Sequence, residues 1–346
     1  MTQQDTRIPA ARTGTGGKTE AAAEAVGATG DARDARDVVG GSLVARLRRW
    51  SPTPKQVEWC CFAALLANTL IVVTGGAVRL TNSGLGCPTW PECTGGSLVP
   101  VSTLGYHSII EFSNRMLTYA VCAAVGAAIL AAMFQKPRRP VLVKLSWGLF
   151  FGVVLQAVVG GITVLTKLAP EWVAGHMCLS MGMIAVSFVL WHRSREGDGP
   201  VELLTRRELL WLARVLVAAT AAVIAVGTLV TGTDPHAGAS DASKRLPFKA
   251  LDITQVHADL VFVVIGLTVA LWFAFKATDA RAESVRAVQV MGGVLVLQAA
   301  IGYTQYFTGL PAWMVLLHMT GACLTWIAAW RVLMSLRLRG PAAATA

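Results

Sequence analysis

LQAVVGGITVLTKLAPEWVAGHM, from Leu155 to Met177, and LQAAIGYTQYFTGLPAWMVLLHM, from Leu297 to Met319, are offset by 142 residues and agree at nine of 23 positions. The agreeing pairs are Leu155/Leu297, Gln156/Gln298, Ala157/Ala299, Gly160/Gly302, Thr166/Thr308, Leu168/Leu310, Val173/Val315, His176/His318 and Met177/Met319. Apolar identities recur easily in membrane helices; a matched Gln and a matched His do not. Each copy reads as the end of one apolar helix, a turn at Pro170 or Pro311, and the start of another. The chain is therefore expected to consist of two related halves.

The surrounding sequence supplies the rest of the fold. A helix needs about 20 mostly apolar residues to cross the hydrocarbon, and eight such stretches occur, at 57–78, 107–134, 145–166, 172–192, 209–231, 254–275, 288–307 and 312–333. An even number of spans separates the two copies, so they are parallel repeats related by an axis along the membrane normal. The expected fold class is all-α, a polytopic membrane protein whose eight transmembrane helices form two pseudo-symmetric four-helix bundles. The expected divisions are a disordered cytoplasmic tail (1–56), an N-terminal bundle (57–192), a cytoplasmic linker (193–208), a C-terminal bundle (209–333) and a second cytoplasmic tail (334–346). Residues 1–50 contain no apolar run and no signal-peptide core, so nothing there can bury a core.

Composition agrees with this division. Of 346 residues, 54% are apolar and 14% charged, with mean hydropathy +0.55, whereas a soluble domain carries about 25% charged residues. The net charge of +10 would suit a nucleic-acid binder in a soluble chain, but its distribution here excludes that reading. With the N-terminus placed in the cytoplasm, 24 of the 30 Lys and Arg residues fall on inner segments, which is the positive-inside pattern. Both termini are then cytoplasmic, and the basic excess is an orientation signal.

Ionisable side chains inside spans are costly and mark function by default. Four of the six histidines, His107, His176, His257 and His318, fall within spans near their outer ends; His192 and His236 are expected in solvent. His257 and His318 belong to the second and fourth helices of the C-terminal half, and two neutral imidazoles facing across a bundle suit axial ligation of a haem iron. A histidine merely hydrogen-bonded to a neighbouring helix is the plainer alternative. In the N-terminal half His176 again comes from the fourth helix, but stepping back about 143 residues from His257 reaches Asn114. The segment YHSIIEFSNR places His107, Glu111 and Asn114 on one helical face and Arg115 four residues after Glu111. A carboxylate there could move protons or serve only in a helix-stabilising ion pair. Five cysteines, Cys60, Cys61, Cys122, Cys178 and Cys323, lie in apolar spans as expected packing residues. Cys87 and Cys93 share the first outer loop, GLGCPTWPEC, which favours a disulfide over two free thiols or a metal site. No CxxCH occurs, so any haem would be held non-covalently.

These residues are similar to the haem A synthase family. The resemblance covers roughly 57–335 and rests on VTGGAVRLTNSGLGCPTWPEC ending at Cys93, IEFSNR at 110–115, LQAVVGG with the later GH ending at His176, QVHADL at 255–260 and LLH at 316–318. It implies an eight-helix oxidoreductase that converts the C8 methyl of haem O to a formyl group, giving haem A for cytochrome oxidase. It further implies that His257 and His318 bind the iron of a haem b cofactor. The substrate haem would then occupy the N-terminal half with His176 as ligand, Glu111 as catalytic residue and Arg115 beside it, with a Cys87–Cys93 disulfide in the loop. Haem O as substrate, a haem O synthase and an external electron donor as partners, a cell membrane location and room for a homo-oligomer follow from the same resemblance.

The sequence departs from the family at one point. The family commonly reads Glu-x-x-His-Arg on the second helix, and here Asn114 stands at the ligand position. Either His107, about 10 Å further out, ligates a displaced haem, or the iron is five-coordinate on His176 alone. Two other classes compete. A b-type cytochrome relaying electrons across the membrane would need two complete His pairs bridging its sides. A parallel-repeat transporter would place polar groups and helix breaks at the midplane, unlike this chain.

Overall fold

The computed structural model describes residues 51–340 apart from 234–235, 237, 241 and 243–244; the expectation of disorder over 1–50 lies outside the described residues, as does the tail from 341 on. Eight helices are long and apolar enough to cross a membrane: α1 (Pro54–Leu80), α2 (Gly105–Phe134), α3 (Pro140–Leu165), α4 (Pro170–Ser194), α5 (Arg207–Thr233), α6 (Ala250–Ala277), α7 (Ala282–Phe307) and α8 (Ala312–Met334). The chain is a multi-pass membrane protein. Most helices outrun the apolar stretches that announce them by a few residues. Thr53 and Gln56 form a reciprocal capping box before α1, with Pro54 in its first turn. Pro140 and Pro170 likewise stand in the first turns of α3 and α4, there without a side-chain cap.

Each half closes on itself. Helix α1 packs on α2, α2 on α3, α3 on α4 and α4 back on α1, while α5 to α8 repeat that ring. The halves meet through α1·α8, α4·α5 and α4·α8. Exchanging the halves turns α1·α8 into α5·α4 and leaves α4·α8 in place, as a pseudo-two-fold axis requires. Residues 51–340 lie within one compact unit, and one apolar cluster runs across the interface, joining Leu65, Val72, Ile184 and Phe188 to Leu216, Leu271, Met291 and Trp326. The Trp326 indole N–H also donates to the Met181 carbonyl at 2.8 Å, stitching α8 to α4.

The repeat extends to the backbone of its turns. Lys167 and Leu168 after α3, and Gly309 and Leu310 after α7, all adopt left-handed φ, from +52° to +77°. At that end of the molecule, called here the disulfide end, the loops touch. The Gly84 N–H donates to the Gly238 carbonyl at 2.8 Å, and the His236 ring bonds the Leu310 carbonyl at 3.0 Å. Arg79, at the end of α1, donates to the carbonyls of His236 and Thr231, fastening one half to the other.

The opposite, linker end departs from the all-helical expectation in one small respect. Val201–Leu203 (β1) pairs antiparallel with Arg337–Arg339 (β2), tying the linker to the C-terminal segment. Arg193, at the end of α4, bonds Glu196 at 2.6 Å and Asp198 at 3.1 Å, and Arg139 bonds Asp198 at 2.8 Å. Burial would raise the Glu196 pKa, but hydrogen bonds from His192 and Arg193 hold it at about 2. The Arg139 hydrogen bond likewise holds Asp198 below its ordinary value. His192 and His236, expected in solvent, each have a protein partner instead. Cys61 and Cys323 are buried as expected, whereas Cys122 and Cys178 lie on exposed helix faces.

Candidate functional site

Four positions near the disulfide end recur in matched pairs, and each faces a glycine of a neighbouring helix. The His176 ring of α4 lies against Gly160 of α3, where an added Cβ would fall 3.2 Å from its Cε1. The His318 ring of α8 lies against Gly302 of α7 at 3.3 Å by the same measure. His257 of α6 lies against Gly227 of α5 at 3.1 Å. The fourth position is filled by Asn114 of α2, whose amide is the nearest group to Gly75 of α1, at 3.9 Å. The second-helix pair Gly75/Asn114 thus corresponds to Gly227/His257. The fourth-helix pairs Gly160/His176 and Gly302/His318 correspond likewise.

Behind the fourth-helix histidines stands the matched glutamine. The Gln298 amide donates to the His318 carbonyl at 2.9 Å, and Gln156 donates to the His176 carbonyl at 3.4 Å and to Ser180. Spacings of four and 16 residues, Gln156–Gly160–His176 and Gln298–Gly302–His318, were the signal for these supports. The glycines that seat His257 and Asn114 carry no such signal, because they come from helices outside the matched segment.

In the C-terminal half, the His257 and His318 ring centres are 6.4 Å apart. Two imidazoles on opposite sides of one metal, with metal–nitrogen bonds of about 2 Å, hold their ring centres about 6 Å apart. The His257 Nδ1 lies 3.1 Å from the Val223 carbonyl. A proton donated there leaves Nε2 unprotonated, as a ligand must be. Among the described residues no three His, Cys, Asp or Glu side chains gather around a bare ion. A porphyrin brings its own equatorial nitrogens and needs only the axial pair, so the C-terminal site fits a haem.

The N-terminal half is built differently. Glu111, on α2, is buried; its Oε2 accepts the Cys87 N–H at 2.7 Å and its Oε1 accepts from Arg115 at 2.6 Å. Arg115 also donates to the carbonyls of Cys87, Thr89 and Glu92. The pair therefore does more than stabilise a helix, since it clamps the first loop onto α2. That loop is closed by the Cys87–Cys93 disulfide. Gly86 is required beneath it, because a Cβ there would fall 2.3 Å from the His107 carbonyl oxygen. Trp90, at the loop tip, lies over Gly161 of α3, the neighbour of the glycine that seats His176. His107 is in the first turn of α2, with Nδ1 2.9 Å from the Ser83 hydroxyl. The structure thus brings Glu111, Arg115 and the disulfide together and sets His107 among the loop residues.

Several buried polar atoms in these positions have no protein partner: Asn114 Oδ1, Gln156 Oε1 and His176 Nδ1 in one half, Gln298 Oε1 and His318 Nδ1 in the other. Native interiors leave few such atoms unpaired, and the two halves leave them at repeat-related positions, the glutamine and the histidine of each matched series.

Comparison with known proteins agrees with this architecture. Residues 58–330 match the cytochrome oxidase assembly protein family COX15-CtaA. The chain belongs to that family. It is 26% identical to the heme A synthase of Azorhizobium caulinodans over 345 residues, covering 84% of this chain and 95% of that protein. It is 29% identical to the heme A synthase of Geobacillus thermodenitrificans over 126 residues, 35% of this chain and 38% of the relative. A protein from Thermus thermophilus named protoheme IX farnesyltransferase is 25% identical over 300 residues; these cover 80% of this chain and about half, 48%, of that protein.

Proposed function

We propose that this member of the family makes haem A, oxidising the C8 methyl of haem O to a formyl group. The observation that carries the reading is the inequality of the two halves. One has a complete histidine pair with spacing fit for a resident haem b, and the other has a single repeat-matched histidine beside a buried, loop-clamped carboxylate. In this reading His257 and His318 hold the haem b, which supplies one-electron redox chemistry when bound. His176 holds the iron of the substrate haem O. Trp90 and the disulfide loop cover the site and limit the entry of water. Glu111 holds or delivers a proton at Oε1 or Oε2, Arg115 keeps that carboxylate in place, and Gln156 steadies the backbone carrying His176.

The carbon passes from methyl to hydroxymethyl to the hydrated aldehyde, which sheds water to give the formyl group. Each hydroxylation removes two electrons from the carbon and so needs an oxidant as well as a donor. With dioxygen, one oxygen atom enters the C–H bond and the other leaves as water, taking two electrons from an outside donor and two protons. A haem O synthase as neighbour in a cell membrane is supported by the relative named for protohaem farnesylation, half of which resembles this chain. The test is pigment extraction after aerobic co-expression with a source of haem O and a supply of electrons. Haem A or its hydroxymethyl intermediate is expected; recovery of only unmodified haem b and haem O contradicts the proposal.

A further inference from the structure

We infer that the N-terminal half offers a porphyrin iron a single imidazole, His176, and leaves the opposite axial position open to a small exogenous ligand. The inference rests on reading that half as a haem site. It follows from the internal repeat in three dimensions. Of the four glycine-backed positions, three carry imidazole, and the second-helix position of the N-terminal half carries the Asn114 amide. An amide nitrogen has no available lone pair, and an amide oxygen is a hard donor suited to ions such as calcium or magnesium rather than to a porphyrin iron, for which imidazole is apt. The Asn114 Oδ1 is buried and has no protein partner, so what this position offers is an amide oxygen and not an imidazole.

His107 does not restore the pair. It lies seven residues before Asn114 on α2, about 10 Å along the helix axis. Its ring lies beside that of Tyr106, tilted by 32° with centres 4.0 Å apart, and is held by Ser83. Its backbone is pinned against Gly86, and none of the four glycine seats belongs to it. The C-terminal half, with His257 and His318 at 6.4 Å, saturates its iron. Only one of the two halves can then react with an added ligand.

The test uses the full-length chain in detergent, loaded with excess haemin, reduced with dithionite and exposed to carbon monoxide. Wild-type protein is expected to hold two haems, one of which shifts its absorption with carbon monoxide while the other stays low-spin. Asn114→His should abolish the carbon monoxide reaction and yield a second low-spin haem. Asn114→Ala, which offers no ligand, should keep the reaction, as should His107→Ala. Two bound haems that both ignore carbon monoxide, with reactivity appearing only in His107→Ala, would overturn the inference and make His107 the ligand. A single haem, lost in His257→Ala, would instead remove the N-terminal haem site itself, so the two failures are distinguishable.

Discussion

The N-terminal and C-terminal halves share a helix order, a turn with left-handed backbone and a glutamine–glycine–histidine series, yet they treat the second-helix position differently. In the C-terminal half that position carries His257, anchored to the Val223 carbonyl and facing His318. In the N-terminal half it carries Asn114, and the polar chemistry moves outward along α2 to Glu111, Arg115 and the disulfide loop. Such a duplicated bundle can keep one copy as a closed redox site and open the other for a substrate. The shared parts position imidazoles, and the unshared parts decide what happens there.

The largest test of this comparison is steric. Gly227 and Gly302 seat the two C-terminal rings, and Gly227→Leu or Gly302→Leu should push a ring out of line. Losses of second-sphere support at metal sites run to about 10–100-fold in affinity, and a drop of that order in haem retained through purification is expected. Gly160→Leu should do the same to His176 while sparing the C-terminal haem. Gly75→Ala, whose nearest neighbour is the Asn114 amide at 3.9 Å, should leave both haems in place. If Gly75→Ala proved as damaging as Gly227→Leu, the Asn114 position would be holding a haem as the His257 position does, against the difference drawn here.

A smaller effect should come from the loop. Replacing Cys87 and Cys93 together by Ser opens a six-residue separation, worth about 2 kcal/mol by loop entropy. The backbone N–H at position 87 that donates to Glu111 remains, but the loop that carries it loses its covalent closure. A lower Tm is expected, with haem A formation reduced and the C-terminal haem spectrum unchanged. A loss of the C-terminal spectrum would show that the halves are not separable in this way.

The smallest effect concerns the linker end, which both halves share. Glu196 and Asp198 are held below their ordinary values, so their contribution to stability is fully present above about pH 4.3, the unfolded-state range. It is lost as pH falls toward 2, where Glu196 becomes protonated in the folded chain. Protease cutting in the linker, followed from pH 6 down to pH 3, should rise, and Asp198→Asn should flatten part of that rise. An unchanged cutting rate would remove the role assigned to Arg193 and Arg139.

Much of the fold was legible in the sequence because lipid imposes long apolar runs, and the pairing of Gln156, Gly160 and His176 with Gln298, Gly302 and His318 is written into one matched segment. The offset from His257 to Asn114 was legible too. What escaped was long-range. Arg79 reaches carbonyls of the other half, far off in sequence, and a three-residue strand such as Val201–Leu203 is too short to show a period. Gly75 and Gly227 face their partners through helix packing that no local pattern announces. Nothing in GLGCPTWPEC announces that the Trp90 ring lies over Gly161 of α3.

On the proposed function the two halves hold haem independently, through His176 in one and the His257–His318 pair in the other. Haem content and low-temperature electron paramagnetic resonance of His176→Ala and His318→Ala test it most directly. His318→Ala is expected to lose the low-spin bis-imidazole signal and keep the N-terminal haem, and His176→Ala to do the reverse. Loss of both haems in either properly folded variant, or of neither, would contradict it.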